Sequence, residues 1–178
     1  MNFANKINRR LVMVTTMTLV VFAATFGFQH ILAHEASEHT LPPPAEVTYY
    51  QNVEDAQRSV PFELVALPED LARDFQLIGI VVSEFPNLTL VEITYRTPDG
   101  TFAFFIESNG TQETPDGEVA KGNVGLATAR VVTTENGLGK PVGAVLWNVG
   151  GTSVSLMVTG ATGPEAVELA NQARVVRQ

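Results

Sequence analysis

The chain has 178 residues, 45% of them hydrophobic, and carries 11 Lys/Arg against 19 Asp/Glu for a net charge of −8. Three basic residues precede the first acidic residue, Glu35, so the remainder holds eight basic against nineteen acidic side chains. A domain this acidic repels phosphate backbones, which argues against nucleic acid as a partner. The chain has no cysteine, which excludes disulfides, a thiolate nucleophile and cysteine-based metal sites.

The N-terminal segment predicts a membrane anchor. Residues 11–33 form an uncharged, apolar run, and about 20 such residues in a helix cross the hydrocarbon core of a bilayer. Lys6, Arg9 and Arg10 precede this run and acidic residues follow it, so the positive-inside rule places the N-terminus in the cytoplasm. We therefore predict a basic cytoplasmic tail (1–10), a single transmembrane helix (11–33) and an extracytoplasmic remainder, with the cell membrane as the location.

A cleaved secretory signal is the alternative for the same segment. The basic start fits a signal peptide, but the apolar run exceeds the usual length of about 7–15 residues. The best cleavage point follows Ala33, and Ile31 then occupies a position where a small residue is preferred. The pattern favours a retained anchor.

Two further features follow the anchor. Residues 34–46 contain three consecutive prolines at 42–44 and predict a polyproline spacer, so the folded domain should span 47–178. Asn52 can cap a helix whose first turn holds Glu54 and Asp55, and Pro61 should end that helix at or before the preceding residue.

Most of the remaining chain predicts β-strands joined by short turns. Residues 88–96 alternate, and the set Val91, Ile93 and Tyr95 should face the core. A loop at 109–123 interrupts the strands, and residues 162–176 predict a closing helix capped by Thr162. The predicted strands are 62–67, 75–85, 88–96, 101–108, 124–135, 142–149 and 152–160.

These elements predict an α+β fold: one transmembrane helix, then a curved antiparallel sheet of about six to seven strands covered by two helices. The order "EDAQRSVPFELVALP", "VEITYRTPDG", "LWNVGGTSVSLMVTG" and "GPEAVELANQARVV" resembles the DUF4367 family of extracytoplasmic domains. The resemblance covers about residues 50–176 and implies a detached sensory or interaction module like those beside the membrane helix of some anti-sigma-factor proteins. It implies core roles for Phe62, Tyr95, Gly100, Trp147 and Gly160.

Candidate sites for chemistry are few. His30 and His34 would share a helix face and, with His39, form a weak candidate zinc site, against the alternative of polar residues that end the span. Residues 109–118 lack the ligand pattern of a calcium loop, and 137–143 match no phosphate-binding motif, so both predict turns or loops. Phe102 and Phe104 are predicted either as core or as the lining of a small apolar groove.

The chain beyond His39 contains neither histidine nor cysteine, and no serine has the surroundings of an activated nucleophile. We therefore predict a non-enzymatic protein without a cofactor. Its partners should be the bilayer, through 11–33, and a protein or envelope ligand. The alternative function is a structural accessory subunit of a larger membrane complex, held by its transmembrane helix.

Overall fold

The structure is a computed structural model and describes residues 43–71, 73–111 and 118–176. Within these ranges it contains ten strands and two α-helices. In chain order they are β1 (Glu46–Tyr50), α1 (Val53–Ser59), β2 (Val65–Ala66), β3 (Gln76–Phe85), β4 (Leu88–Arg96), β5 (Phe102–Ser108), β6 (Glu118–Val124), β7 (Ala127–Glu135), β8 (Pro141–Val149), β9 (Thr152–Thr159), α2 (Gly163–Ala170) and β10 (Arg174–Val175).

Eight of the described strands form one antiparallel sheet in the order β1-β3-β4-β5-β9-β8-β7-β6. Most neighbours are also consecutive in the chain and are joined by tight turns. Gly100 lies in the turn between β4 and β5, and Gly160 lies in the turn that follows β9; their φ angles of +87° and +80° would strain an L side chain. The remaining two strands, β2 and β10, pair with each other in a small second sheet.

The two faces of the large sheet carry different side chains. We call the side against which α1, α2 and the small sheet pack the helix face. It carries the main core, including Val91, Ile93, Phe105 and Leu156, each 0% exposed. The opposite side, which we call the second face, carries the residues that alternate with these along each strand.

A glycine brings α2 close to the helix face. A Cβ atom on Gly143 in β8 would lie 2.2 Å from the carbonyl oxygen of Thr162 and 3.0 Å from the Ala166 side chain. Glu165 in the first turn accepts a hydrogen bond from the Thr162 N–H at 2.7 Å, which completes the helix start. Strand β8 and helix α2 therefore contact each other through their backbones.

The predicted α+β fold class, with a sheet of about six to seven strands covered by two helices, is wrong. Within the described residues the protein is mostly sheet: the large sheet has eight strands instead of six to seven, and the two helices have only seven and eight residues. Strand β1 lies at the start of the predicted domain, where no strand was predicted, and β6 lies where a loop was predicted. The segment EVAKGNV of β6 contains lysine, glycine and asparagine, which disfavour strands, and its pairing with β7 overrides that preference.

The two helices differ from their predictions to different extents. Asn52 caps α1 as predicted, accepting a hydrogen bond from the Asp55 N–H at 2.8 Å, and the helix ends before Val60. The closing helix was predicted to extend to residue 176, but it ends at Ala170. The following residues instead form β10, because their backbone finds partners in β2.

The predicted tail (1–10), transmembrane helix (11–33) and most of the spacer lie outside the described residues. Among the helices that the structure does describe, none has the length and apolar character needed to cross a bilayer.

Candidate functional site

Several residues singled out from the sequence lie outside the described part of the chain. They are His30, His34 and His39 of the candidate zinc site and the topology residues Lys6, Arg9 and Arg10. Within the described ranges, no three His, Asp or Glu side chains lie close enough together to hold a metal ion. The loop predicted at 109–118 is described only at its two ends, and 137–143 forms the turn between β7 and β8 and the start of β8.

The residues implied by the family resemblance are distributed through the architecture and do not meet in one site. Tyr95 and Trp147 are buried in the core on the helix face, and Phe62 packs against that core while partly exposed. Gly100 and Gly160 occupy turns with positive φ. All five therefore have structural positions, and none lines a reactive centre in the described part of the chain.

A buried carboxyl group lies beneath residues 62–67, a segment that we call the strap. The side chain of Glu107 in β5 is 0% exposed. Its Oε2 accepts a hydrogen bond from the Val65 N–H at 2.8 Å, while its Oε1 has no partner. Burial raises the pKa of Glu107 well above its usual range, and the Val65 hydrogen bond offsets only part of that rise. Burial therefore favours the protonated form of this group, which lies against the strap.

Three other buried polar side chains hold the same strap. Gln57 donates to the Phe62 carbonyl at 2.8 Å and accepts from the Leu64 N–H at 2.7 Å. Thr152 donates to the Glu63 carbonyl at 3.1 Å, and Tyr95 accepts from the Leu67 N–H at 3.2 Å.

These contacts explain how the strap lies in the core with only a two-residue strand of its own. Leaving a buried peptide group without a hydrogen bond costs about 1–3 kcal/mol. Side chains of α1, β4, β5 and β9 bond to the peptide groups of the strap and so replace the neighbouring strand that would otherwise do this. Burial also raises the pKa of Tyr95 to about 12, and the hydrogen bond from the Leu67 N–H offsets part of that rise. The network has a structural role, since it holds the strap in place.

The second face carries a partly exposed cluster of aromatic and basic side chains. Phe102 and Phe104 of β5 stack with ring centroids 5.8 Å apart and planes inclined by 16°. The guanidinium carbon of Arg96 lies 5.8 Å from the Phe102 ring centroid, a distance at which a cation is attracted to the ring. Both phenylalanines are partly exposed and Arg96 is exposed.

The register of three strands places this cluster in adjoining rows. Arg96 is paired with Phe102, and Thr94 with Phe104, which in turn is paired with the buried Met157 of β9. We call Arg96, Phe102, Phe104 and Met157 the aromatic patch. The aromatic patch stands on central strands of the sheet, so its backbone is already ordered. Binding of a partner therefore has no entropy cost for ordering that backbone.

A partly buried glutamate, Glu92, borders the aromatic patch. Glu92 is two residues before Thr94 on β4 and accepts a hydrogen bond from the Thr94 hydroxyl at 3.3 Å. Burial raises the pKa of Glu92, and the Thr94 hydrogen bond acts in the opposite direction. Burial thus favours the protonated form of a carboxyl group beside the patch.

The sequence revealed the phenylalanines of the patch but missed Glu107, Glu92 and Arg96. A signal for Glu107 was present: it follows Ala103 and Phe105 at two-residue spacing and so had to share their buried face. The association of Arg96 with Phe102 also needs the register of the β4–β5 hairpin, which the structure supplies.

Comparisons with known proteins add no further information about the site. No protein-family model matches the sequence, and neither a curated protein nor a solved structure matches it. The resemblance to the DUF4367 family stays a prediction.

Proposed function

We propose that this protein is a non-catalytic, extracytoplasmic interaction module, anchored to the cell membrane by the apolar segment 11–33. It binds a protein or an envelope ligand through the aromatic patch. The observation that carries the proposal is the stacked, partly exposed pair Phe102 and Phe104 with Arg96 beside it. Aromatic residues, methionine and arginine are the types enriched in the centres of protein interfaces.

The chemistry of the chain supports a binding role. Beyond His39 the sequence offers no histidine and no cysteine, so an acid, base or nucleophile would have to be a carboxylate, tyrosine, hydroxyl or amine. The most perturbed carboxyl group, Glu107, is enclosed beneath the strap and bonded to Val65. The similarity of residues 50–176 to DUF4367 domains favours the same function.

The test compares the full-length protein with patch variants in detergent extracts of its membranes. The double substitution Phe102→Ser and Phe104→Ser removes the stacked rings. Leu138→Ser removes an exposed side chain of similar character, 83% exposed, from the turn between β7 and β8. Truncating an aromatic anchor at an interface costs about 2 kcal/mol or more, which is about a 30-fold loss of affinity.

On a native gel we expect the patch variant to migrate free of its partner, whereas the wild-type protein and the Leu138 variant migrate in a complex. Retention of the complex by the patch variant would contradict the proposal. Replacing segment 11–33 with an unrelated membrane span tests the alternative: only an accessory subunit docked through its span would leave the complex.

A further inference from the structure

The two outer strands of the large sheet are protected to different degrees. Strands β1 and β6 end the strand order, so alternate N–H and C=O groups of each point away from the sheet. Such an edge is a template for pairing with another chain unless charge, proline, a bulge or a covering element blocks it. A comparison of the edges therefore shows where a further strand can be added.

Strand β6 has three protective features. The side-chain amide of Asn171, just after α2, donates to the Asn123 carbonyl at 3.4 Å and accepts from the Gly125 N–H at 2.8 Å. Lys121 lies at the middle of the strand, where its charge disfavours a partner strand. Helix α2 also packs beside this edge, since a Cβ on Gly122 would contact Val167.

Strand β1 lacks these three features, and its one charged residue, Glu46, lies at its first position. Its sequence EVTYY contains no lysine, arginine or proline, and its pairing with β3 runs through all five residues without a bulge. Val47 and Tyr49 lie on the second face and are 41% and 63% exposed. Among the described strands, only β3 pairs with β1, so its outer side is open in the described part of the fold.

We propose that β1 pairs with β1 of a second copy of this chain, antiparallel and centred on Thr48, so that two sheets join into one. A two-fold axis perpendicular to the sheet keeps the faces of the two copies aligned, which allows Thr48 to oppose its own equivalent. This register pairs all five residues of β1, whereas a shift of two residues would pair only three. The proposal does not depend on the function assigned to the aromatic patch.

The charges of β1 permit its pairing with a second copy. Because the domain is strongly acidic, a contact between two copies must keep carboxylates apart. In the centred register Glu46 opposes Tyr50 of the second copy, and Val47 opposes Tyr49. The two Glu46 residues are then about 14 Å apart at about 3.4 Å per residue, beyond the screening length of about 8 Å at physiological salt.

The absence of cysteine from the chain makes a direct cross-linking test possible. Opposed residues of antiparallel strands have Cα atoms about 4.5–5.5 Å apart, within the range that a disulfide spans. A Thr48→Cys substitution in the full-length protein should therefore give a covalent dimer when membranes are treated with a mild oxidant. Two single-cysteine controls should not: Glu46→Cys, whose equivalents are too far apart, and Lys121→Cys, on the protected edge.

A second pair of variants tests the register without Thr48. Copies with Val47→Cys, co-expressed with copies carrying Tyr49→Cys, should form a mixed disulfide, because these positions oppose each other in the centred register. Trp147 fluorescence shows whether each variant keeps its core.

We expect reducible dimers from Thr48→Cys and from the mixed pair, at several times the yield of either control. The proposal is overturned if folded Thr48→Cys and mixed-pair proteins cross-link no more than Lys121→Cys. It is also overturned if Glu46→Cys cross-links equally well, which would indicate random collision. Dimers that persist when Phe102 and Phe104 are replaced would show that the two surfaces act separately.

Discussion

Replacing Glu107 with glutamine should make the domain gain stability with rising pH, relative to the wild-type protein. Burial holds the pKa of Glu107 well above its ordinary value of 4.5, so the folded protein keeps a proton that the unfolded chain has lost. Between these two pKa values the folded state binds one more proton than the unfolded state. The wild-type free energy of unfolding therefore falls by about 1.36 kcal/mol per pH unit across that window, and a glutamine does not titrate.

The structure also sets the expected cost of the substitution at the acidic end of the window. Glutamine keeps a carbonyl oxygen for the Val65 N–H, but its amide N–H groups enter a site where Oε1 of Glu107 has no partner. An unsatisfied buried group costs about 1–3 kcal/mol, so the variant should be the less stable protein near pH 5. Because the wild type loses about 1.36 kcal/mol of stability per pH unit in this window, a rise of roughly one to two pH units cancels the difference in unfolding free energy between the two proteins.

Urea unfolding of the full-length protein in detergent, followed by the fluorescence of its single tryptophan, Trp147, measures this effect between about pH 5 and 8. A Glu135→Gln variant, which alters an exposed carboxyl group at the end of β7, is the matched control. Comparison with this control at each pH separates the effect of burying a carboxyl group from that of removing one. If the difference in stability between the Glu107 variant and the wild type does not change with pH, the buried carboxyl does not hold its proton.

Two further substitutions test the packing and the strap. Gly143→Ala should destabilise the protein by several kcal/mol, because its Cβ would lie 2.2 Å from the Thr162 carbonyl oxygen. The control is Gly79→Ala on β3, whose Cβ would meet nothing within 4 Å. A similar urea midpoint for the two variants would contradict the close contact of α2 with β8. Tyr95→Phe leaves the ring in the core but removes the acceptor of the Leu67 N–H, so a loss of about 1–3 kcal/mol is expected. An unchanged unfolding free energy would show that the hydroxyl does not hold the strap.

Local patterns were sufficient for some elements of the fold. The alternation in 88–96 correctly placed Val91, Ile93 and Tyr95 on the buried face, and all three are 3% exposed or less. Asn52 likewise marked the start of α1, because capping depends on residues within one helical turn. The anchor at 11–33 stays a prediction.

Other elements depend on partners distant in the chain. Strand β6 has a composition typical of a loop, and it is a strand because β7 supplies its hydrogen bonds. The closing helix ends early because Arg174 and Val175 pair with β2, more than 100 residues earlier.

The sequence by itself determined the buried face of β4, the start of α1, and the lack of histidine and cysteine beyond His39. Only the tertiary structure decided which strands form the edges, what lies beneath the strap, and which side chains meet on the second face. The physical reason is that alternation and capping act within a few residues. Strand pairing instead joins residues such as Phe104 and Met157 that are distant in the chain. The burial of Glu107 and the stacking beside Arg96 are consequences of that pairing.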